Sequence, residues 1–289
     1  IRRATLNAFP GSTPSITTVT FDLWQTLLVD NRELGLTRTE ARLEGTRRVL
    51  KAAGRDYDLE QIREAYWACY QQCREIRERH LDVSFSEQVE IFVGNIDPNL
   101  DPGLVECLDR ESRELMNEIT RVYADSFLEY PPPAHIDALS ALQGVKRLGL
   151  RIGLISNTGM TSGVTFRTYL EDTGMLSYFD ALTFSDEVKL SKPGNEIFLM
   201  TLRSLGASPA ETVHVGDHIQ NDVVGAKQCG LKTVWITGFS ERTDPGDPCT
   251  EPDESVNGLG EVVSAISRLA SLDLPAEHKT RIPSVRGKL

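Results

Sequence analysis

Three aspartates, one lysine and two hydroxyl-bearing residues carry the chemistry this sequence can perform. Asp22 ends the apolar run of residues 16–21, and Thr26 follows four positions later. Ser156 and Asn157 end "LRIGLISN", Lys192 precedes a proline in "KLSKPGNEIF", and Asp217 and Asp222 lie in "GDHIQND". In an open parallel sheet the carboxyl ends of the strands meet at the ligand site, so these segments converge there. Asp22, Asp217 and Asp222 held together would repel one another and raise one another's pKa. A hard divalent cation removes that conflict, and magnesium, which takes one or two carboxylates with carbonyls, waters and a substrate phosphate, suits this ligand set. Lys192 offers a point charge to a substrate oxyanion and Ser156 a directional hydrogen bond. With charge so balanced, the Asp22 carboxylate can act as a nucleophile and form a covalent aspartyl intermediate with a small anionic substrate.

The elements that must position these groups show as hydrophobic periodicity. Residues 16–21 are β-branched and aromatic and read as a buried strand. Residues 37–128 are rich in Glu, Arg, Leu and Ala, with apolar positions such as Ile62, Tyr66, Cys69 and Cys73 at three- and four-residue steps, which predicts a four-helix bundle. The prolines of "EYPPPAHI" cannot continue a helix and mark a domain boundary. Beyond them helices 134–148, 162–173, 193–205, 219–229 and 258–272 alternate with strands "LRIGLIS", "FDALTFS", "TVHVG" and "KTVWIT". The expected fold is α/β, a doubly wound parallel sheet carrying an inserted helical bundle. The core then comprises 1–36 and 129–275, the insertion 37–128 and a tail 276–289, with 1–15 a leading tail behind a trimmed or tagged start.

At 289 residues and 40% hydrophobic content the chain can bury a large core, as a soluble globular protein does. A formal charge of −11 disfavours nucleic acid and anionic membranes as partners. No apolar stretch approaches the roughly 18 to 20 residues of a membrane helix, and the first 15 residues lack a signal-peptide core, which predicts a cytoplasmic protein. The five cysteines, Cys69, Cys73, Cys107, Cys229 and Cys249, lack a second Cys or His pair for zinc and read as free thiols in a reducing compartment. Oligomeric state is not written in the sequence.

"FDLWQTL", "LISNTG", "KLSKPGNEIF" and "HVGDHIQNDVVGA" resemble, in order and spacing, the four motifs of the haloacid dehalogenase-like (HAD) hydrolases over residues 16 to about 240. The resemblance implies a Rossmann-like core and makes the 37–128 bundle a first-type helical cap that closes over the site and selects the substrate. It implies Asp22 as nucleophile, Thr26 and Ser156 as contacts to the transferred group, Lys192 as its charge balance, and Asp22, Asp217 and Asp222 around Mg2+. Asn157, Trp24 and His218 are the expected substrate contacts.

One position departs from the pattern. Family phosphatases usually carry a second aspartate two residues after the nucleophile, which protonates the leaving oxygen and later activates water. Here that residue is Trp24, and indole does neither. Acid–base help of this kind is worth about 10² to 10⁴ in rate. The Trp24 carbonyl still suits a cation, since that contact uses backbone, and Gln25 replaces the family's usual glycine. Phosphatase-type hydrolysis, restricted to good leaving groups or borrowing its acid, ranks first because "GDHIQND" follows the magnesium-dependent pattern. A dehalogenase, whose halide leaves without a proton, and a non-catalytic binding protein are the alternatives. His218 is the candidate replacement acid, and His214 reads as a packed core histidine. Asp217 and Asp222 also suit capping of the helix that follows them. Tyr66, Trp67 and Tyr70 are expected in the insertion's core and the charges of 74–79 on a solvated helix face; Arg38, Arg42, Arg47 and Arg48 are expected on the surface, with contact to an anionic substrate the weaker alternative.

Overall fold

Burial on both faces explains why the strands are nearly continuous runs of Val, Ile, Leu, Thr and Phe. The computed structural model describes residues 15–100, 109–238 and 251–271. β1 (Thr18–Phe21) lies at the centre of a six-stranded sheet. After α1 (Arg32–Ala52), α2 (Leu59–Arg77), α3 (Phe85–Ile96), α4 (Arg110–Glu129) and α5 (Ala138–Arg147), the chain adds β2 (Arg151–Ser156) on one side of β1. α6 (Gly163–Asp172) leads to β3 (Ala181–Phe184) beyond it, followed by the one-turn α7 (Ser185–Val188) and α8 (Asn195–Leu205). The chain then crosses to the other side of β1 with β4 (Thr212–Gly216), a wide π-type turn at Ile219–Val224, α9 (Gly225–Gln228), β5 (Lys232–Ile236), β6 (Glu254–Val256) and α10 (Val262–Ala270). All pairings are parallel in the order β3-β2-β1-β4-β5-β6, so the topological switch falls around β1.

The doubly wound α/β architecture matches the sequence expectation, with differences at element ends. β6 was not anticipated, being three residues long and too short for a periodic signal. The expected helix 219–229 is divided into the wide turn and α9. α1 begins at Arg32 rather than 37 because the Asn31 side chain caps it, accepting from Leu34 N–H at 2.9 Å. The tails at 1–14 and 276–289, residues 101–108 at the head of the fourth predicted helix, residue 272, Cys107 and Cys249 lie outside the described residues.

Two of the four apolar clusters among the described residues are large. One packs helices on the sheet and includes Phe21, Leu154, Val215, Phe166 and Phe184, and α4 contributes Phe127 to it. The other lies among α1 to α4, around Leu43, Leu50, Ile62, Phe92, Ile119 and Tyr123, and takes in Met160 from the β2–α6 loop. A polar junction joins the helical insertion to the sheet as well. Arg77 Nε donates to Asp82 Oδ1 at 2.9 Å and Nη2 to the Gly159 carbonyl at 2.8 Å. The Ser185 hydroxyl donates to Asp82 Oδ2 at 2.6 Å and accepts from Thr158 N–H at 2.9 Å. Leu81 bridges to Leu190, and Ser191 N–H donates to the His80 carbonyl at 3.1 Å. Arg77 is therefore not part of a solvated face, as its place in 74–79 suggested; its side chain is only 16% exposed.

Removing one partner of a buried ion pair leaves the other uncompensated, so Asp82→Ala is expected to destabilise the fold by about 2 to 3 kcal/mol after allowance for Arg77's partial exposure. Urea unfolding measures this, and a loss below about 0.5 kcal/mol, the ordinary range of surface changes, contradicts the junction's role.

Candidate active site

The sheet delivers the site in register. Phe21 pairs with Leu154 of β2 and Val215 of β4, so Asp22, Ser156 and Asp217 emerge together at the carboxyl ends of β1, β2 and β4. Asp22 N–H donates to the Val215 carbonyl at 2.9 Å, which extends the β1–β4 pairing through the nucleophile candidate's own backbone. Lys192 Nζ donates to Asp22 Oδ1 at 2.5 Å and to Asp222 Oδ1 at 2.6 Å, with the lysine side chain 1% exposed. One ligand oxygen each of Asp22, Asp217 and Asp222 lies within 4.8 Å of the others. Three carboxylates against one ammonium leave two negative charges in excess, the complement of a divalent cation.

Asp222 is held on several sides. Its Oδ2 accepts from His218 N–H at 2.9 Å, and its Oδ1 lies 3.3 Å from His214 Nε2. His214, 1% exposed, meets the Thr20 hydroxyl at 2.8 Å through Nδ1, so a neutral ring donating from Nε2 satisfies both partners. Burial, opposed by Asp222, lowers the His214 pKa and favours that neutral form. A Cβ at Gly216 would come within 2.3 Å of the Asp222 carboxyl carbon, so only glycine admits this approach. Burial raises the Asp222 pKa, but Lys192 and His214 outweigh it and the net direction is down. Burial pushes Asp22 up to about 6, with Lys192 opposing and Asp222 reinforcing. Asp217 rises to about 8 through burial and the charges of Asp22 and Asp222. Its backbone carbonyl accepts from Trp235 Nε1 at 2.7 Å.

The remaining predicted residues separate into two groups. The Thr26 hydroxyl is fully buried and has no hydrogen-bond partner, a donor placed one turn from Asp22. Ser156, also fully buried, makes only a long 3.4 Å contact to the Asn157 carbonyl. Asn157, expected as a substrate contact, instead commits both ends of its amide to the Lys192 backbone, donating to its carbonyl and accepting from its N–H, each at 2.9 Å. Gln25 adopts the left-handed conformation at φ 52°, which explains why a glycine would suit that position; two hydrogen bonds to the Asp30 backbone, at 2.9 and 3.1 Å, stabilise it. His218 caps the wide turn, its Nδ1 accepting from Asn221 N–H at 3.2 Å, the role foreseen for Asp217 or Asp222; its ring is exposed. The Trp24 indole packs edge-on against Phe127 at 5.9 Å and Phe166 at 5.4 Å, part of an aromatic wall.

That wall borders a cleft of about 780 Å³ between α1, α2 and the loops after β1 and β2. Two expectations are corrected here. Trp67 and Tyr70 are not core: they are 46% and 39% exposed and line the cleft, while Tyr66 is buried. Arg38 and Arg42 are not surface charges but 4% exposed cleft residues, Arg38 paired with Asp30 and Arg42 bonded to Ser126 Oγ at 2.9 Å and Thr161 Oγ1 at 3.1 Å. The surface reading ranked first for both because arginine is ordinarily solvated. The Leu43 and Leu50 stripe beside them was the signal that this face of α1 is buried.

Among relatives, the chain is 28% identical over 151 residues to a glyceraldehyde 3-phosphate phosphatase of Methanopyrus kandleri, covering 51% of this chain and 62% of that protein. It is 34% identical over 135 residues to a phosphoserine phosphatase of Thermus thermophilus, covering 46% of this chain and 51% of that protein. The matches thus span about half to three fifths of these relatives' length. The fold is similar to that of a 2-haloacid dehalogenase from Pseudomonas syringae, with TM-score 0.64, 19% identity, and coverage of 88% of this chain and 99% of that one. Residues 16–230, which hold Asp22, Ser156, Lys192, Asp217 and Asp222, match the family model of the haloacid dehalogenase-like hydrolases, and the chain belongs to that family.

Proposed function

We propose that this protein is a Mg2+-dependent phosphatase of the cytoplasm that hydrolyses a small phosphorylated metabolite through an aspartyl intermediate at Asp22. The observation that carries this reading is the buried Lys192 ammonium bridging Asp22 and Asp222, with Asp217 completing a three-carboxylate cluster. The phosphatase relatives support it. So do the free thiols Cys69, Cys73 and Cys229 for a reducing compartment, and among the described residues no helix is long and apolar enough to cross a membrane.

Asp22, Asp217, Asp222 and the Trp24 carbonyl are the proposed ligands of the cation, which when bound supplies charge neutralisation to the phosphoryl group. Lys192 fixes one Asp22 oxygen, and the other attacks phosphorus as the bond to the leaving oxygen breaks. The unpartnered Thr26 hydroxyl and Ser156 donate to the transferring oxygens. Water then attacks phosphorus, releasing phosphate and the Asp22 carboxylate. Trp24 offers no proton, and the leaving oxygen departs as an anion or takes its proton from water or the exposed His218 ring. The helical insertion, residues 37–128, acts as the cap over a core of 1–36 and 129–275. The Trp24 wall favours dehalogenation as the second reading, since halide needs no acid.

Acetyl phosphate or p-nitrophenyl phosphate is expected to be hydrolysed with Mg2+ and not with EDTA, and Asp22→Asn to lose at least roughly a thousandfold in kcat. Chloride release from 2-chloropropionate in EDTA, with no phosphate turnover, contradicts the reading in favour of the dehalogenase.

The raised acids add a pH dependence. Unfolded aspartates release protons near 3.8, whereas Asp22 holds its proton to about 6 and Asp217 to about 8, so across that interval the native state binds more protons and stability falls as pH rises. In metal-free protein Tm is expected to drop toward pH 8, with a shallower drop in Asp217→Asn and on adding Mg2+. Parallel Tm curves for the variant and the parent contradict this origin.

A further inference from the structure

The cleft beside the site has a charge and a surface that the phosphoryl chemistry does not use. Arg38 and Arg42 are the two buried arginines among the described residues. Arg38 has a carboxylate, Asp30, whereas Arg42 has none among the described residues. The Arg42 guanidinium instead meets neutral groups: Ser126 Oγ, Thr161 Oγ1, the Tyr123 carbonyl at 3.4 Å, and the Tyr123 ring, 4.8 Å from its central carbon. A buried cation is ordinarily paired, and one left with neutral partners at the wall of a cleft is a place for an anion to bind. The chain as a whole carries −11, so this cation is a local feature against the general charge.

The opposite character of the cleft is aromatic. Trp67 and Tyr70, one turn apart on α2, expose their rings into it, 5.7 Å between centroids, and Trp24 lines the same cleft two residues after Asp22 in sequence. Exposed indole and phenol faces in a concave site stack flat rings, while single exposed aromatics elsewhere need no explanation. Trp24 supplies no acid, so the leaving oxygens this site favours are those that depart readily without a proton. Phenol-type oxygens, near pKa 10 as in tyrosine, do so far better than alkanols.

Resting on the phosphatase reading above, we propose that the substrate is a phosphate monoester of a planar, phenol-type hydroxyl whose ring bears a second anionic group, the ring stacked on Trp67 with Tyr70, its plane 77° from the indole, at the edge, and the anion on Arg42. The Asp22 oxygen forms a bond to phosphorus as the bond from phosphorus to the aryl oxygen breaks. The electron pair leaves on that oxygen as a phenolate, which takes a proton from water. A water molecule then attacks phosphorus, the bond to Asp22 breaks, and phosphate leaves, for a sum of ester plus water giving phenol and phosphate.

The test compares kcat/KM for 4-carboxyphenyl phosphate, phenyl phosphate, glycerol 2-phosphate and acetyl phosphate with Mg2+. The parent protein is expected to prefer 4-carboxyphenyl over phenyl phosphate by roughly tenfold or more, the worth of one charge-assisted contact, and both aryl esters over glycerol 2-phosphate. Arg42→Gln brings the carboxyphenyl-to-phenyl ratio toward one, and Trp67→Ala lowers both aryl esters relative to acetyl phosphate. Acetyl phosphate turnover with no carboxyphenyl preference in the parent protein overturns this inference alone and leaves the phosphatase standing. Absence of turnover for every phosphate overturns both, and because the parent's own preference decides, misfolding of Arg42→Gln does not protect the proposal.

Discussion

A single ammonium group bridging two buried carboxylates is the constraint from which the site follows. Taking Asp22, Asp222 and Lys192 out of water costs several kcal/mol per ion, recovered only with close geometry and full hydrogen bonding. The fold supplies both. β1 and β4 fix the backbone of Asp22, Asn157 clamps the Lys192 backbone at both polar atoms, and His214, His218 N–H and the bare Gly216 hold Asp222 where Nζ meets it at 2.6 Å. Asp217 is the carboxylate this arrangement leaves unbalanced, and burial, together with the charges of Asp22 and Asp222, raises it to about 8.

The segment that carries this lysine links the sheet to the helical insertion. Ser191, its neighbour, donates from its backbone N–H to His80 and from its hydroxyl to Leu81 at 3.0 Å, while Arg77 and Asp82 grip the loops after β2 and β3. The junction with the insertion and the charge balance at the site therefore share one segment of chain. Trp24 belongs to the aromatic wall of the cleft, its indole packed against Phe127 and Phe166.

The strands, the insertion and the three aspartates were legible because each depends on local pattern: apolar runs of strand length, helical periodicity, and carboxylates at run ends. What escaped the sequence depends on which way a side chain turns. Asn157 follows a strand as a substrate contact would, yet its amide clamps Lys192. Arg38 and Arg42 look like surface charges until α1 is seen to bury the face they share with Leu43 and Leu50, and Trp67 and Tyr70 look like core until α2 turns them to the cleft. β6 has three residues and no period to detect.

Calorimetric titration with Mg2+ tests most directly the claim that Lys192 leaves a deficit matched to one divalent ion. The parent protein is expected to bind a single ion per chain, and Asp217→Asn, by cutting the two excess charges to one, to weaken that affinity by roughly tenfold or more. Equal affinity in the two proteins, or no binding in the parent, contradicts the account.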